Sequence, residues 1–146
     1  MNRFYTIGYQ QAAQASLIAL LQDRGIEVLA DVRARAQSRK PGFSKSNFAS
    51  SLEEVGIGYR HFRDLGTPPD GRAAARRGDT ETLAKVYAGQ LELPEALAAM
   101  AQLRALVEAR RTCLLCYCRD ADKCHRSLLA DAALGGFERI DLTVSL

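Results

Sequence analysis

This chain lacks the features that would place it in several large classes. No apolar run approaches the ~18 residues of a membrane span, so no membrane partner is expected. Met1-Asn2-Arg3 leads straight into strand-like residues without a signal-peptide pattern, which makes a cytoplasmic setting the default. Net charge is small. Twenty basic residues against seventeen acidic ones leave +3, too little to draw the whole chain strongly to polyanions. There is no internal repeat and no low-complexity linker. Cysteines are few, four in all, and in a cytoplasmic chain they read as thiols or ligands rather than structural disulfides. What remains is an ordinary globular composition. At 146 residues the chain is long enough to fold as one domain, 1–146, without staples or a cofactor.

Strand and helix patterns alternate along it. Phe4 to Tyr9 is a β-type run ending in a glycine turn, and Ala13, Leu17, Leu20 and Leu21 recur at helical spacing before Gly25. Glu27 to Arg33 is near-continuously apolar, as buried parallel strands are. A polar loop runs from Arg33 to Ser44. Ser44 or Ser46 then caps a helix bearing Phe48, Leu52 and Val55, which Gly56 ends. Ile57 to Phe62 is a third strand, and Leu65 to Gly71 reads as a loop. The basic, alanine-rich stretch Arg72–Gly78 reads either as a flap or as plain surface. Asp79 or Thr80 opens a helix with Leu83, Val86 and Tyr87, and Pro94 suits the first turn of another. Thr112 to Tyr117 is the fourth strand. A helix beginning at Cys124-His125-Arg126 follows, and Gly135-Gly136 stops it. Ile140, Leu142, Val144 and Leu146 alternate with polar residues as a half-exposed C-terminal edge strand does. This order predicts a three-layer α/β domain, with a mostly parallel sheet and helices on both faces.

Several motifs resemble those of the family called domain of unknown function 488. They are Thr6-Ile7-Gly8-Tyr9, Asp31-Val32-Arg33, Ser38-Arg39-Lys40-Pro41-Gly42-Phe43-Ser44-Lys45, Gly58-Tyr59-Arg60-His61-Phe62 with Leu65-Gly66-Thr67-Pro68, and Leu114-Leu115-Cys116 through Cys124-His125-Arg126-Ser127. The resemblance runs in order over nearly the whole chain, and its final block is the most specific. It implies a compact α/β fold and brings no settled activity. The matching positions are Gly8, Asp31, Arg33, Ser38, Arg39, Phe43, Tyr59, Leu65, Gly66, Cys116, Cys124, His125 and Arg126. Cys118 falls outside that pattern.

The residues themselves suggest chemistry. Cys124 sits at a helix N-terminus, with Asp120 or Asp122 as the expected cap. The helix dipole, His125 and Arg126 would favour its thiolate. The bland alternative is that Cys124 fills space, as Cys113 inside its apolar strand is expected to. Asp31 in an apolar strand needs a partner, and Arg33, Arg126 or backbone can supply it, as a structural pair or an acid–base group. Arg33, Arg35, Arg39, Lys40 and Lys45 form a loop without any acid, and Phe43 and Tyr59 are candidates to stack on a base. A phosphatase-like cradle is excluded. Cys113 and Arg119 have the spacing, but the strand between them contains no glycine. Metal ligation by Cys116, Cys118, Cys124 and His125 matches no standard zinc spacing, and adjacent Cys124 and His125 should diverge on a helix.

These signals converge on the C-terminal edge of the sheet. Cys124, His125 and Asp31 are the candidate catalytic residues. Gly8, Tyr9, Arg33, Arg39, Phe43, Tyr59, Cys116 and Arg126 are the candidate ligand-binding residues. The expectation is an enzyme acting on a phosphate-bearing partner, a nucleotide or nucleic acid, with no metal or cofactor required. One alternative is a non-catalytic nucleotide- or nucleic-acid-binding module. The other is a metal or thiol-redox site built from Cys116, Cys118 and Cys124. No residue pattern selects an oligomeric state.

Overall fold

The apolar strands assemble side by side as one parallel sheet. The computed structural model describes residues 3–145. Its elements are β1 (Arg3–Gly8), α1 (Gln14–Asp23), β2 (Val28–Asp31), α2 (Lys45–Glu54), β3 (Gly58–His61), α3 (Pro69–Arg76), α4 (Thr80–Leu91), α5 (Pro94–Ala109), β4 (Thr112–Cys116), α6 (His125–Ala133) and β5 (Glu138–Leu142). The strand order is β3-β2-β4-β1-β5, and every neighbouring pair is parallel. None of the described helices is long and apolar enough to cross a membrane.

The helices divide between the two faces. Leu17, Leu21, Phe48 and Leu52 bring α1 and α2 onto one face, against Tyr5, Ile7, Leu29, Cys113 and Leu115. Tyr87, Leu103, Leu129 and Ala130 bring α4, α5 and α6 onto the other, against Phe4, Ala30, Leu114 and Cys116. Each fully buried aliphatic side chain contributes ~1.5–3 kcal/mol, so both layers hold the sheet. The period of two sends successive side chains to opposite layers. Asp31 therefore shares a face with Leu29, and Cys116 shares the other with Leu114.

The connection after β2 leaves over the α1/α2 face, and the connection after β4 leaves over the opposite face. These neighbouring strands thus diverge at their C-terminal ends. That is the switch point at which open parallel sheets bind ligands.

The structure corrects the sequence reading at Pro69–Gly71, at Ser44 and in the last strand, and gives the 72–78 stretch a form the sequence leaves open. Pro69-Asp70-Gly71 is not loop but the first turn of α3. Proline is tolerated at the start of a helix and Asp70 suits its positive end. From Arg72 to Arg76 the chain continues that helix against α4, with the Arg72 guanidinium donating to the Thr67 carbonyl, and Arg76 to Gly78 are exposed. Ser44 holds the cap position of α2, but its side chain bonds no helix N–H; the hydroxyl instead closes the basic loop on the Ser38 backbone. The last strand ends at Leu142, although Val144 still packs into the α1/α2 core. Leu146, which the alternation places in that strand, lies outside the described residues.

Candidate active site

Two clusters flank the switch point, one on each face. On the α1/α2 side, Asp31 at the end of β2 is fully buried and ion-paired to Arg33. The Arg33 Nε and second terminal nitrogen donate to its two carboxylate oxygens at 2.9 and 2.7 Å. The first terminal nitrogen donates to the Phe43 carbonyl at 2.7 Å and the Tyr9 hydroxyl at 3.3 Å. The Arg33 backbone N–H and the Tyr59 hydroxyl complete the shell of Asp31 at 3.1 and 2.5 Å. Burial opposes the Arg33 charge, but the Asp31 carboxylate more than offsets it and raises the guanidinium pKa. Burial and the same carboxylate push the Tyr59 phenol up. Phe43 is buried, with its ring stacked on Tyr9 at 4.6 Å, so its face is covered from within. His61 ends β3 and donates from Nε2 to the Arg33 carbonyl. Arg39 is exposed on the loop, away from this cluster's hydrogen bonds.

On the α4–α6 side, β4 ends at Cys116, and the chain reaches α6 through Tyr117–Asp120 and a 3-10 turn, Ala121–Lys123. Asp120 caps that turn by accepting from the Asp122 N–H, so neither aspartate caps α6. The cap position belongs to Cys124 itself, whose backbone is extended at φ −128° and ψ 153°. This overturns the expected divergence of Cys124 and His125. Cys124 is not yet on the helix, so its sulfur and His125 Nδ1 come within 3.6 Å. Cys116 Sγ lies 2.6 Å from Cys124 Sγ. His125 Nε2 meets the Val32 carbonyl at 2.8 Å. A carbonyl only accepts, so Nε2 carries the hydrogen and Nδ1 is left to take the thiol proton. The Tyr87 ring stands edge-on to the imidazole.

Arg126 lies beside these groups, 1% exposed. It donates to the Cys118 carbonyl at 2.8 Å and to Thr6 Oγ1 at 3.2 Å, and Thr6 in turn donates to Asp141. Among the described residues its Nε has no partner. Burial opposes a charged Cys124. Hydrogen bonds from Cys116 and Cys118, and the neighbouring His125, outweigh it and hold the thiol well below the ordinary range. The imidazole is raised in turn: burial opposes its charge and the Cys124 thiolate prevails. Burial pushes the Cys116 thiol well up. It pushes Cys113 up too, but that sulfur belongs to the opposite face. Cys118, half-buried, reaches about 12; its bond with Cys116 lowers it, but competition with Cys124 and burial prevail.

Cys116, Cys124 and His125 offer three ligand atoms within 4.8 Å of one another. Two thiolates on a tetrahedral zinc stand about 3.8 Å apart, given Zn–S bonds of ~2.3 Å. At 2.6 Å the two sulfurs stand closer than two ligands of one zinc would, and about half an ångström beyond a disulfide bond of ~2.05 Å.

Gly8, at the end of β1, admits the β4–α6 connection. A Cβ there would stand 1.7 Å from the Cys118 carbonyl oxygen. Beside that connection is an open cleft of about 560 Å³, whose lining includes Gln11, two cations, Arg119 and Lys123, and three aspartates, Asp120, Asp122 and Asp141. Gln11 holds a left-handed φ of 64°, rare for a side-chain-bearing residue. An Arg119 terminal nitrogen is buried there without a partner among the described residues. Tyr117 is 52% exposed at the same edge, against Tyr9. The sequence reading weighs Arg119 only in the rejected phosphatase-like spacing and names Thr6 only within a motif; it assigns no role to Tyr117 or to the Tyr87–His125 contact. Only the placement of Tyr117 and Arg119 just past β4 carried a signal for them. A second cleft, of about 490 Å³ between α6 and β5, contains no cysteine.

No match was found among curated proteins or among solved structures. The family described as Domain of unknown function DUF488 matches residues 13–133, a span running from α1 to the end of α6. It includes Asp31, Arg33, Cys116, Cys124, His125 and Arg126, and starts just after Gly8 and Tyr9. With most of its length covered, this chain belongs to the DUF488 family.

Proposed function

We propose that this protein is an enzyme in which the Cys124 thiolate attacks a small anionic, phosphate-bearing substrate at the C-terminal edge of the sheet. One observation carries the reading. Cys124 holds the cap position of α6, with its sulfur against Cys116 and His125 Nδ1, beside a buried arginine whose Nε has no partner among the described residues. Helix N-termini and cationic neighbours stabilise thiolates and anions alike. In this reading Cys124 is the nucleophile and His125 accepts its proton. Arg126 offsets negative charge, and Arg119 in the adjoining cleft meets the substrate's anionic group. Asp31, Arg33, Tyr9, Phe43 and Tyr59 hold the β2 end in place, and Cys116 keeps the thiolate solvated by sulfur.

Alkylation of the four cysteines by iodoacetamide across pH tests this. An ordinary thiol, with a pKa near ~8.5, loses reactivity about tenfold per pH unit below that value. The folded Cys124 thiol is depressed, so its rate should stay flat through neutrality and fall only where pH drops through that lower value. Inorganic phosphate or a nucleoside monophosphate should slow the labelling. If Cys124 labels no faster than Cys113, the thiolate reading fails. If labelling is fast but no phosphate compound protects it, the substrate class is wrong.

The exposed cations of the 33–45 loop favour a second reading, a nucleic-acid-binding module. Arg39 and Lys45 face solvent, and Tyr117 offers a half-exposed ring at the same edge.

A further inference from the structure

A nucleophilic thiolate needs a hydrogen-bond donor, but it does not need that donor to be another thiol. A hydroxyl at the end of β4 would serve and would not react. The residue there is Cys116, 1% exposed, with its sulfur 2.6 Å from that of Cys124. A disulfide bond is ~2.05 Å long, so closing it asks for a movement of about half an ångström. Eight positions separate the two residues, and the connection between them carries no regular structure beyond one 3-10 turn. Cys118, on that connection, is only half-buried; its carbonyl accepts from Cys116 at 4.0 Å, and its own thiol also borders Cys116 and Cys124, which makes it the rival the test must separate. Both thiols are free in the structure.

We propose that Cys116 is a resolving thiol: after a hydroperoxide oxidises Cys124, Cys116 closes a Cys116–Cys124 disulfide that masks the nucleophile until a dithiol restores it. The inference rests on the reading of Cys124 as the reactive thiolate, and it adds a modification site and its partner residue.

In the first step Cys124 Sγ attacks one peroxide oxygen and the O–O bond breaks. The sulfur is oxidised to sulfenic acid, and the peroxide leaves as an alcohol, or as water from hydrogen peroxide, taking up one proton. Cys116 Sγ then attacks the sulfenic sulfur, the S–O bond breaks, and the hydroxyl leaves with the Cys116 proton as water. A reduced dithiol reverses the state by two thiol–disulfide exchanges and is itself oxidised to a disulfide.

The surroundings favour reversal. The disulfide has no charge, so Arg126, buried and with no partner for its Nε among the described residues, loses the thiolate that offsets it. An uncompensated buried charge destabilises the oxidised state. Easily reduced disulfides of this kind are the regulatory ones.

The test treats the full chain with hydrogen peroxide in the presence of dimedone, which traps sulfenic acid, and maps the products by mass spectrometry. The wild type should show the Cys116–Cys124 crosslink, little dimedone adduct, and recovery of Cys124 alkylation on adding dithiothreitol. In C116S, and in C116A as a check on folding, the dimedone adduct on Cys124 should become the main product. C118S should behave as the wild type. If the wild type crosslinks through Cys118, or its sulfenic acid persists as in C116S, the resolving role is overturned and the nucleophile reading stands. If Cys124 resists peroxide and alkylates no faster than Cys113, both fall. The crosslink in the wild type needs no variant, so a poorly folded mutant does not shield the proposal.

Discussion

The two buried arginines beside the switch point are completed to different degrees. Arg33 has a carboxylate, a phenol and a backbone carbonyl around it, and none of its nitrogens is left over. Arg126 bonds a carbonyl and a hydroxyl, and among the described residues it reaches no carboxylate directly and its Nε has no partner. Buried polar groups are almost always satisfied, and an exception calls for a reason. On the reading proposed here, the finished cluster is scaffold, and the unfinished one is where an anion or a thiolate supplies the missing partner. Perturbed groups gathered around one buried charge point the same way.

The sharpest way to break this contrast is to remove Asp31. Asp31→Ala leaves Arg33 buried and uncompensated, which should cost ~3–5 kcal/mol, read as a lowered urea midpoint. The remaining folded fraction should still label at Cys124 as fast as the wild type. If stability barely changes while labelling is lost, the roles of the two clusters are reversed.

A smaller effect is expected at Gly8. The alanine methyl meets backbone at the Cys118 carbonyl, not a flexible side-chain end. Forced overpacking of this kind costs ~1–3 kcal/mol. The same shift pulls that carbonyl from Arg126, so Gly8→Ala should also slow Cys124 alkylation. Thermal melting together with labelling checks both, and a loss of stability with unaltered labelling would separate Gly8 from the thiol cluster.

The smallest stability change should come from the exposed loop. Arg39→Glu with Lys45→Glu should stay within about 0.5 kcal/mol of the wild type, as surface substitutions do. If the chain binds nucleic acid there, affinity for a single-stranded oligonucleotide should fall at low salt and its salt dependence should flatten. Unchanged fluorescence anisotropy would remove the second reading and leave the catalytic edge alone.

Periodicity made the sheet legible. The apolar runs at Leu29 and Leu114 and the helical spacing of Leu17 and Leu21 predicted strands and helices where they stand. The assignment to two faces was harder. Asp31 and Cys116 both end strands, so a reading by strand ends joined them in one site. Only the pairing of β2 with β4 shows that their side chains leave on opposite sides. Punctuation misled at Pro69-Asp70-Gly71, because proline and aspartate both break a helix and begin one. At Gly71 an added Cβ would stand 2.4 Å from the Thr67 methyl, so this glycine serves packing rather than a turn. The caps failed for a related reason. Aspartate is the better cap in isolation, but Asp120 is occupied by its own turn, and the extended backbone falls on Cys124.

Gly8 also bears on how the site can be inherited or transplanted. It does not sit at a left-handed turn; its constraint is the room denied to a single carbon by the carbonyl of Cys118. The size of residue 8 and the path of the β4–α6 connection are therefore matched fittings, although more than a hundred positions separate them in the chain. A chain that gained a side chain at position 8 would have to reroute the connection that bears Cys118 and anchors Arg126. A designer moving Cys116, Cys124, His125 and Arg126 onto another parallel sheet must carry a glycine on the neighbouring strand with them, or the four residues arrive without the space that lets them meet.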